Sequence, residues 1–498
     1  MQWATPGLKN HTLSMLITVA FTAASPQVFA EDGLEGLGDL VGGSFRSRAY
    51  AVSSDGSVVV GHSEIAGDSC STLCMSEAFR WTEAGGMVGL HDLAGDTVTS
   101  KAYGVSSDGS VVVGGDNFGG FRWTEAGGIV SVEQWLTDSG VTVGGGISTH
   151  TATGTNGDGS VVVGYGEFGS GTEYEAYIAR VGSSGSGVTT IGEVSESLSS
   201  ISEGASMALR STHLLVHSAY SRPMSRKVAI GQKNLWLTGD WGHDNHNGRD
   251  GTIGLAEVGL GYNFGTVQVN ISLGETGSKQ VLVESGGIDS QGKYAMVEGI
   301  LPIAEDAGLY ATLGMYGHRG DADIRRGYLN AGLSDFSSGN PDTRTWGLRA
   351  RLDWEDAYTV KAVQFSPYAD LSYSKSKADG YTETGGGFAA RFDSSEEEVT
   401  ELRAGFNMAM PITTANVHLV GNLEVTHRFD NKGAGTSGQL IGLFAFDLEG
   451  REYDSTWVKG GIGIEGELGK GKAFLMLNGT TEGEMPSAWL TASYQMLF

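Results

Sequence analysis

The sequence predicts an all-β protein: a β-repeat segment, one linker helix, and a closed C-terminal barrel of twelve strands. Three observations predict it. A block of 26 residues recurs without gaps near the start; apolar and polar residues alternate with a period of two through the second half; and one stretch between them has helical spacing instead. The chain has 498 residues, enough for two or three domains, and 79 glycines against only 8 prolines, a balance that suits strands, bulges and tight turns. Its net charge of −26 argues against nucleic acid or an anionic lipid surface as the main partner, because phosphate binding needs clustered Lys and Arg.

The first thirty residues read as a secretion signal. MQWATPGLKNH carries Lys9, LSMLITVAFTAA is an apolar run too short to span a bilayer, and SPQVFA ends in small residues, which places cleavage after Ala30. Residues 31–182 form the repeat segment. GLGDLVGGSFRSRAYAVSSDGSVVVG (36–61) and GLHDLAGDTVTSKAYGVSSDGSVVVG (89–114) are identical at 18 of 26 positions, and FRWTEAGGMV (79–88) returns as FRWTEAGGIV (121–130). A worn third copy is ATGTNGDGSVVVGYGEFG (152–169), so the period is near 50 residues. Each Asp-Gly reads as a turn between strands, because glycine tolerates the positive φ that such turns need. About four strands per unit fit a partial propeller or an open β-stack; three units are too few for an ordinary closed propeller.

Within this segment no catalytic constellation emerges. His62, His91 and His150 are its only histidines, and His91 stands where the aligned repeat has Gly38. The Gly-Asp-Ser at Ser69 lacks a strand-elbow-helix setting. Asp55, Asp108 and Asp158 read as turn residues, since a calcium loop needs several oxygens together. Trp81 and Trp123 read as packing between strands. Cys70 and Cys74 in GDSCSTLC suit a small disulfide loop in an oxidising compartment, and neither a metal nor a cofactor is expected.

GSSGSG (182–187) marks the linker, and residues 183–234 carry Ile191, Val194, Leu198, Ile201, Ala205, Ala208, Leu209, Thr212 and Leu215 at helical spacing. About 25 residues at ~1.5 Å each reach roughly 37 Å, enough to cross a bilayer. Glu193, Glu196, Glu203 and Arg210 exclude a lipid-facing helix and suit a polar tube. From 235 to 498, twelve strand-like segments start near 235, 254, 267, 293, 308, 345, 364, 397, 417, 457, 472 and 488. Ala256, Val258, Leu260, Tyr262 and Phe264 share one face, with Glu257 opposite; Val458, Ile462 and Ile464 oppose Lys459 and Glu465. Short turns alternating with long loops complete the pattern of a membrane barrel, whose apolar wall meets lipid. The inward charges Glu257, Glu465 and Lys459 then read as ordinary lumen polarity.

The closing AWLTASYQMLF alternates down to an aromatic end, and FDLEGREYDSTWVKGGIGIEGELGKGKAFLMLNGTTEG (446–483) precedes it. With the signal, repeats and helix, these segments make the chain resemble a type V autotransporter. AYAVSSDGSVVVG and AFRWTEAGGM likewise resemble extracellular HAF-type repeats. The resemblance implies an outer-membrane barrel, a helix left inside it as a plug, and a passenger at the cell surface that meets an unknown extracellular ligand. It also implies that Tyr494, Met496 and Phe498 form the signal read by the barrel-assembly machinery. Some relatives cut their linker at an asparagine in the helix, but 183–233 contains none and Asn234 is the first, so the passenger is expected to stay tethered. The leading expectation is surface binding or adhesion; an exported hydrolase and a porin-like channel are the alternatives.

Overall fold

Three antiparallel four-stranded sheets follow one another in the repeat segment. The first is β1 (Ser47–Val52), β2 (Val58–Glu64), β3 (Ser76–Thr82) and β4 (Gly86–Gly89). The second is β5 (Lys101–Val105), β6 (Val111–Asp116), β7 (Gly119–Thr124) and β8 (Gly128–Ser131), followed by the short helix α1 (Val132–Asp138), capped by Ser131. The third is β9 (Ile147–Thr155), β10 (Val161–Phe168), β11 (Tyr174–Arg180) and β12 (Gly187–Thr190). This computed structural model describes residues 34–41, 46–65, 75–94, 99–169, 173–201, 212–246, 250–412, 416–481 and 486–498. Ala30, Ser69, Cys70 and Cys74 lie outside the described residues. The chain divides into two units, Met1–Gly38 and Asp39–Phe498, and the sheets and barrel belong to the second.

The repeated sequence makes a repeated contact. Each Asp-Gly turn puts only its glycine in the left-handed region: φ is 75° at Gly56, 71° at Gly109 and 71° at Gly159. Asp55 Oδ1 accepts from Ser53 Oγ at 2.6 Å and from the Ser57 amide at 3.0 Å, and Asp108 does the same with Ser106 and Ser110. Those bonds, the serine hydroxyls first, bring both carboxyl pKa values down to about 2, so the turns are held by ionised aspartates. Gly109 sits directly against Val58 of the sheet before it and Gly159 against Val111, so that a Cβ at either position would overlap the valine. Arg80 and Arg122 tie the same joints, donating through Nε to the carbonyls of Gly109 and Gly159 at 3.2 and 3.3 Å. Val58, Val60, Ala102, Val112 and Phe121 fill the space between sheets one and two, and Trp123 packs at its margin. Gly56 has nothing within 4 Å of its Cβ direction.

Helix α2 (Ile191–Ile201) follows, its first turn capped by Thr190 Oγ1 on the Glu193 amide at 3.0 Å. Val194, Leu198 and Ile201 face inward, while Ile191 is half exposed. Residues 212–226 continue with a helical turn, a π-helical turn over Leu215–Ala219 and a 3₁₀ turn over Pro223–Arg226. The single regular helix expected over 190–218 is therefore not what the described residues form.

The barrel opens with β13 (Lys233–Asp244), β14 (Asp250–Asn263), β15 (Gln268–Val281), β16 (Gly287–Ala304) and β17 (Leu309–Asn330). Strands Asp342–Trp354, Val363–Ala378, Ser395–Ile412, Val417–Arg428, Thr456–Leu468, Gly471–Thr480 and Ala488–Leu497 complete the twelve. Every start falls within six residues of the sequence expectation. Closure comes from β13 pairing the last strand, from Asn234 opposite Leu497 to His243 opposite Ala488, with Lys233 and Phe498 exchanging backbone bonds at 2.9 and 3.0 Å. Leu237, Leu260, Leu273, Leu313, Leu423 and Ile462 stand on the exposed outer wall. Aromatic pairs stand at two levels of it: Trp346–Tyr373 toward the long hairpins, and Tyr262–Phe264, Trp354–Tyr358 and Phe365–Phe406 toward the short turns. Trp346 to Trp354 spans about 26 Å of strand, or about 20 Å of depth at a ~40° tilt, comparable to the apolar band of an outer-membrane barrel. Among the described residues no helix is long and apolar enough to cross a membrane.

The long-hairpin rim receives the repeat segment. β17 runs on into a hairpin with Leu333–Gly339, and four short strands between Tyr381 and Leu448 form a small sheet beside it. Val194, Leu198 and Ile201 of α2 pack there with Ile324, Tyr328, Phe388 and Leu440. Arg326, fully buried, grips Glu383 at 2.8 Å and Ser197 Oγ at 2.9 Å.

The two glycine environments predict different costs. Gly56→Ala carries only the left-handed strain of about 1 kcal/mol. Gly109→Ala adds overpacking against Val58, about 1–3 kcal/mol more. Denaturant unfolding of the repeat segment, followed by its tryptophan fluorescence, separates the two variants; equal losses would refute the stacking contact.

Candidate functional site: a threaded barrel lumen

Period-two alternation turns Asp240, Glu257, Glu298, Arg349, Asp370, Glu401, Arg403, Glu424 and Lys459 inward, and each is at most 5% exposed. A charge out of water needs partners, since an unpaired one costs several kcal/mol. Part of that pairing comes from residues 213–227, which lie inside the closed wall.

Leu214, Leu215, Val216, Ala219 and Tyr220 pack on Ile253, Leu255, Tyr294, Met296, Tyr316 and Trp489. His217 Nε2 lies 2.9 Å from Glu401 Oε2, and its Nδ1 lies 3.5 Å from Glu424 Oε1. Lys459 Nζ donates to the His217 carbonyl at 2.8 Å and pairs with Glu424 at 3.3 Å. Ser218 Oγ accepts from Trp489 Nε1 at 2.8 Å and meets Asp240 and Thr491. Arg403 donates to the carbonyl of Val216, Arg226 to that of Ala219 and Arg349 to that of Tyr220. These cations bind the carbonyls that end a helix, where positive charge is favoured.

Below it, SRPMSRK supplies three cations to three carboxylates. Arg222 reaches Glu465 at 3.2 Å, Arg226 reaches Glu257 at 2.9 Å, and Lys227 pairs with Glu355 while donating to the Tyr310 hydroxyl at 3.1 Å. The Arg226 guanidinium lies between the rings of Tyr220 and Trp236, 4.2 and 4.7 Å from their centroids. Glu257 also accepts from Trp236 Nε1 at 2.8 Å and from the Tyr294 hydroxyl at 3.0 Å. Beside this segment a cavity of about 40 Å³, lined by Ser218, Arg222, Glu465 and Phe474, has room for one or two waters. What the arrangement does is fix the threaded chain to the wall.

The lumen charges singled out in the sequence are thus anchors for a segment 31 to 243 residues away in the chain. One signal for this was present: SRPMSRK is a basic run in an acidic chain, just before the first strand. Trp489, which breaks the alternation of the final strand, is buried and bonded to the threaded segment. Tyr494 stands opposite Leu237 and donates to the Leu468 carbonyl at 2.9 Å, Met496 is opposite Leu235, and Phe498 meets Lys233. In the repeat segment the histidines are apart. His62 stacks on Tyr50, exposed His91 stands 3.4 Å from Glu77, and His150 packs edgewise on Tyr174. Among the described residues no group of three His, Cys, Asp or Glu is placed to hold a metal.

The Arg226–Glu257 pair gives a quantitative test. Arg226→Gln alone leaves a buried carboxylate unpaired and costs about 3–5 kcal/mol. Adding Glu257→Gln restores at least about 1 kcal/mol of it. Both appear as shifts in the temperature at which the detergent-solubilised barrel loses its compact mobility on a gel.

Residues 235–479 match the family described as "Autotransporter beta-domain". Solved structures with a similar fold include the translocator domain of autotransporter NalP from Neisseria meningitidis: 15% identity, 59% of this chain, 98% of that one, TM-score 0.46. The beta domain of the Bordetella autotransporter BrkA (16%, 54% and 100%, TM-score 0.38) is another. A third is the transport unit of AIDA-I from Escherichia coli (12%, 59% and 97%, TM-score 0.35). No curated protein matches the chain. Family match and closed wall coincide: residues 235–479 match an autotransporter β-domain and form most of the closed twelve-stranded wall, and outer-membrane localisation is what that match implies.

Proposed function

We propose that this chain is an outer-membrane autotransporter that carries residues 31–182 through its barrel and keeps them tethered at the cell surface, where they serve adhesion or surface binding. In this reading a signal peptide is cut after Ala30, and the barrel-assembly machinery reads Tyr494, Met496 and Phe498. Cys70 and Cys74 form a disulfide, and the three sheets make an open β-stack of HAF-type repeats. The observation that carries the reading is the path of the chain. Residues 213–227 thread a closed cylinder whose wall holds them through Glu465, Glu257 and Glu355. Residues 178–201 meet the opposite rim, where Arg180 donates to the Gly387 carbonyl at 2.8 Å and the Val188 amide to Asn330 Oδ1 at 3.0 Å. Outer-membrane barrels put short turns inside the cell envelope and long loops outside, so that rim is the outer one. The linker has no asparagine before Asn234, which favours a passenger that stays attached.

Protease added to intact cells is expected to release fragments of 31–182 while the barrel stays whole; a protected repeat segment would contradict surface display. Deleting 212–231 is expected to raise the bilayer conductance of the purified barrel several-fold. An unchanged conductance would favour an open, porin-like channel.

A further inference from the structure

The repeat segment carries a row of tyrosines that its own packing does not use. Tyr50 and Tyr103 hold the same repeat position on β1 and β5, and their ring centroids are 5.4 Å apart. Tyr50 also stacks on His62 at 5.4 Å with a 28° interplanar angle. Tyr165 on β10 continues the row: burial first, and then the neighbouring Tyr50 and Tyr165 phenols, raise the pKa of Tyr103. Neither buried cluster of the stack includes any of these tyrosines, and Tyr50 and Tyr165 remain 44% and 40% exposed. An amphipathic ring left in the open is the group that binding surfaces favour, because it offers contact area with little side-chain entropy to lose.

Charge distinguishes the same place. Residues 31–182 hold 20 acidic and 6 basic side chains, a net of −14. Three of the six basic groups are occupied in the framework: Arg80 and Arg122 at the joints between sheets, and Arg180 on the barrel rim. Arg46 reaches Glu64 at 3.8 Å. The remaining two, Arg48 and Lys101, form no ion pair among the described residues. Arg48 is in register with His62, and after burial it is the positive charge of Lys101 and Arg48 that lowers the His62 pKa. These two cations, unpaired among the described residues, therefore lie beside the first two tyrosines of the row, each two residues before its tyrosine on the same strand.

We propose that Tyr50, Tyr103 and Tyr165, with Arg48 and Lys101, form a binding site for a carboxylated glycan. The C–H face of a pyranose carries partial positive charge and seats on the negative face of a phenol ring, while the phenol hydroxyl can exchange hydrogen bonds with sugar hydroxyls. A carboxylate fits the planar fork of Arg48, with Lys101 as a second point charge. The net −14 around the site disfavours a dense polyanion, such as a sulfated glycan or nucleic acid, and tolerates a chain with at most one carboxylate per sugar.

This inference deepens the surface-binding reading and rests on it. The test uses purified full-length protein in detergent micelles, so it is independent of whether cells display the segment. Calorimetric titration with oligogalacturonate, oligomannuronate and sialyllactose, their methyl esters, and heparin decides the matter. Binding to at least one of the three acidic probes is expected, weakened at least tenfold by its methyl ester. Tyr50→Ala and Tyr103→Ala should each weaken it at least tenfold and Tyr50→Phe much less, while Arg48→Ala with Lys101→Ala should reduce it to the level of the ester. No binding to any acidic probe, tighter binding to heparin, or indifference to Tyr50→Ala with Tyr103→Ala would overturn the proposal and leave the surface-display reading standing.

Discussion

A bilayer core offers no water to an unpaired backbone group, so a sheet that crosses it can have no free edge. The pairing of β13 with the last strand, tied off by Lys233 and Phe498, meets that requirement. Much else follows from the closed ring. Its outer wall must be apolar, which fixes the two-residue period and the aromatic pairs at both levels. Its inner wall is polar and shut away, so the charges there need counter-charges. Neighbouring strands supply some, as Arg349 and Asp370 do; the threaded segment supplies the others through Arg222, Arg226 and Lys227.

The same economy governs charge across the molecule. The chain is acidic overall, and many of its cations stand where they have a task. Arg326 locks α2 to the outer hairpins, Arg80 and Arg122 stitch sheet to sheet, and the SRPMSRK run fastens the chain inside the wall. Against that pattern, two basic residues that are unpaired among the described residues and stand beside half-exposed tyrosines are an exception with a chemical meaning.

The barrel was legible in the sequence to within a few residues per strand, because one face in lipid and one in the lumen impose a strict local period. The Asp-Gly turns were legible for a similar reason: their determinants lie within five residues of one another. The lumen contacts were not. His217 meets Glu401 and Lys459 across 184 and 242 residues, and no local pattern encodes such pairs. The helix was read correctly where Val194, Leu198 and Ile201 repeat, and its regularity was overestimated from Leu215 on, where a π-helical turn forms. Side chains from distant strands capture the carbonyls there. Trp489 looked like a flaw in the final strand until the Ser218 hydroxyl it bonds was placed.

The joint between sheets consists of little more than one glycine seated on one valine and one arginine bonding that glycine's carbonyl, and all three positions belong to the recurring unit of about fifty residues. A tandem duplication of about fifty codons therefore brings its own docking surface with it. The far sheet is fastened to the barrel, whereas Gly56 faces open space, so an array of this design can lengthen at its outer end without any change in its anchor. Descendants with longer or shorter arms would differ in reach and keep the same membrane part.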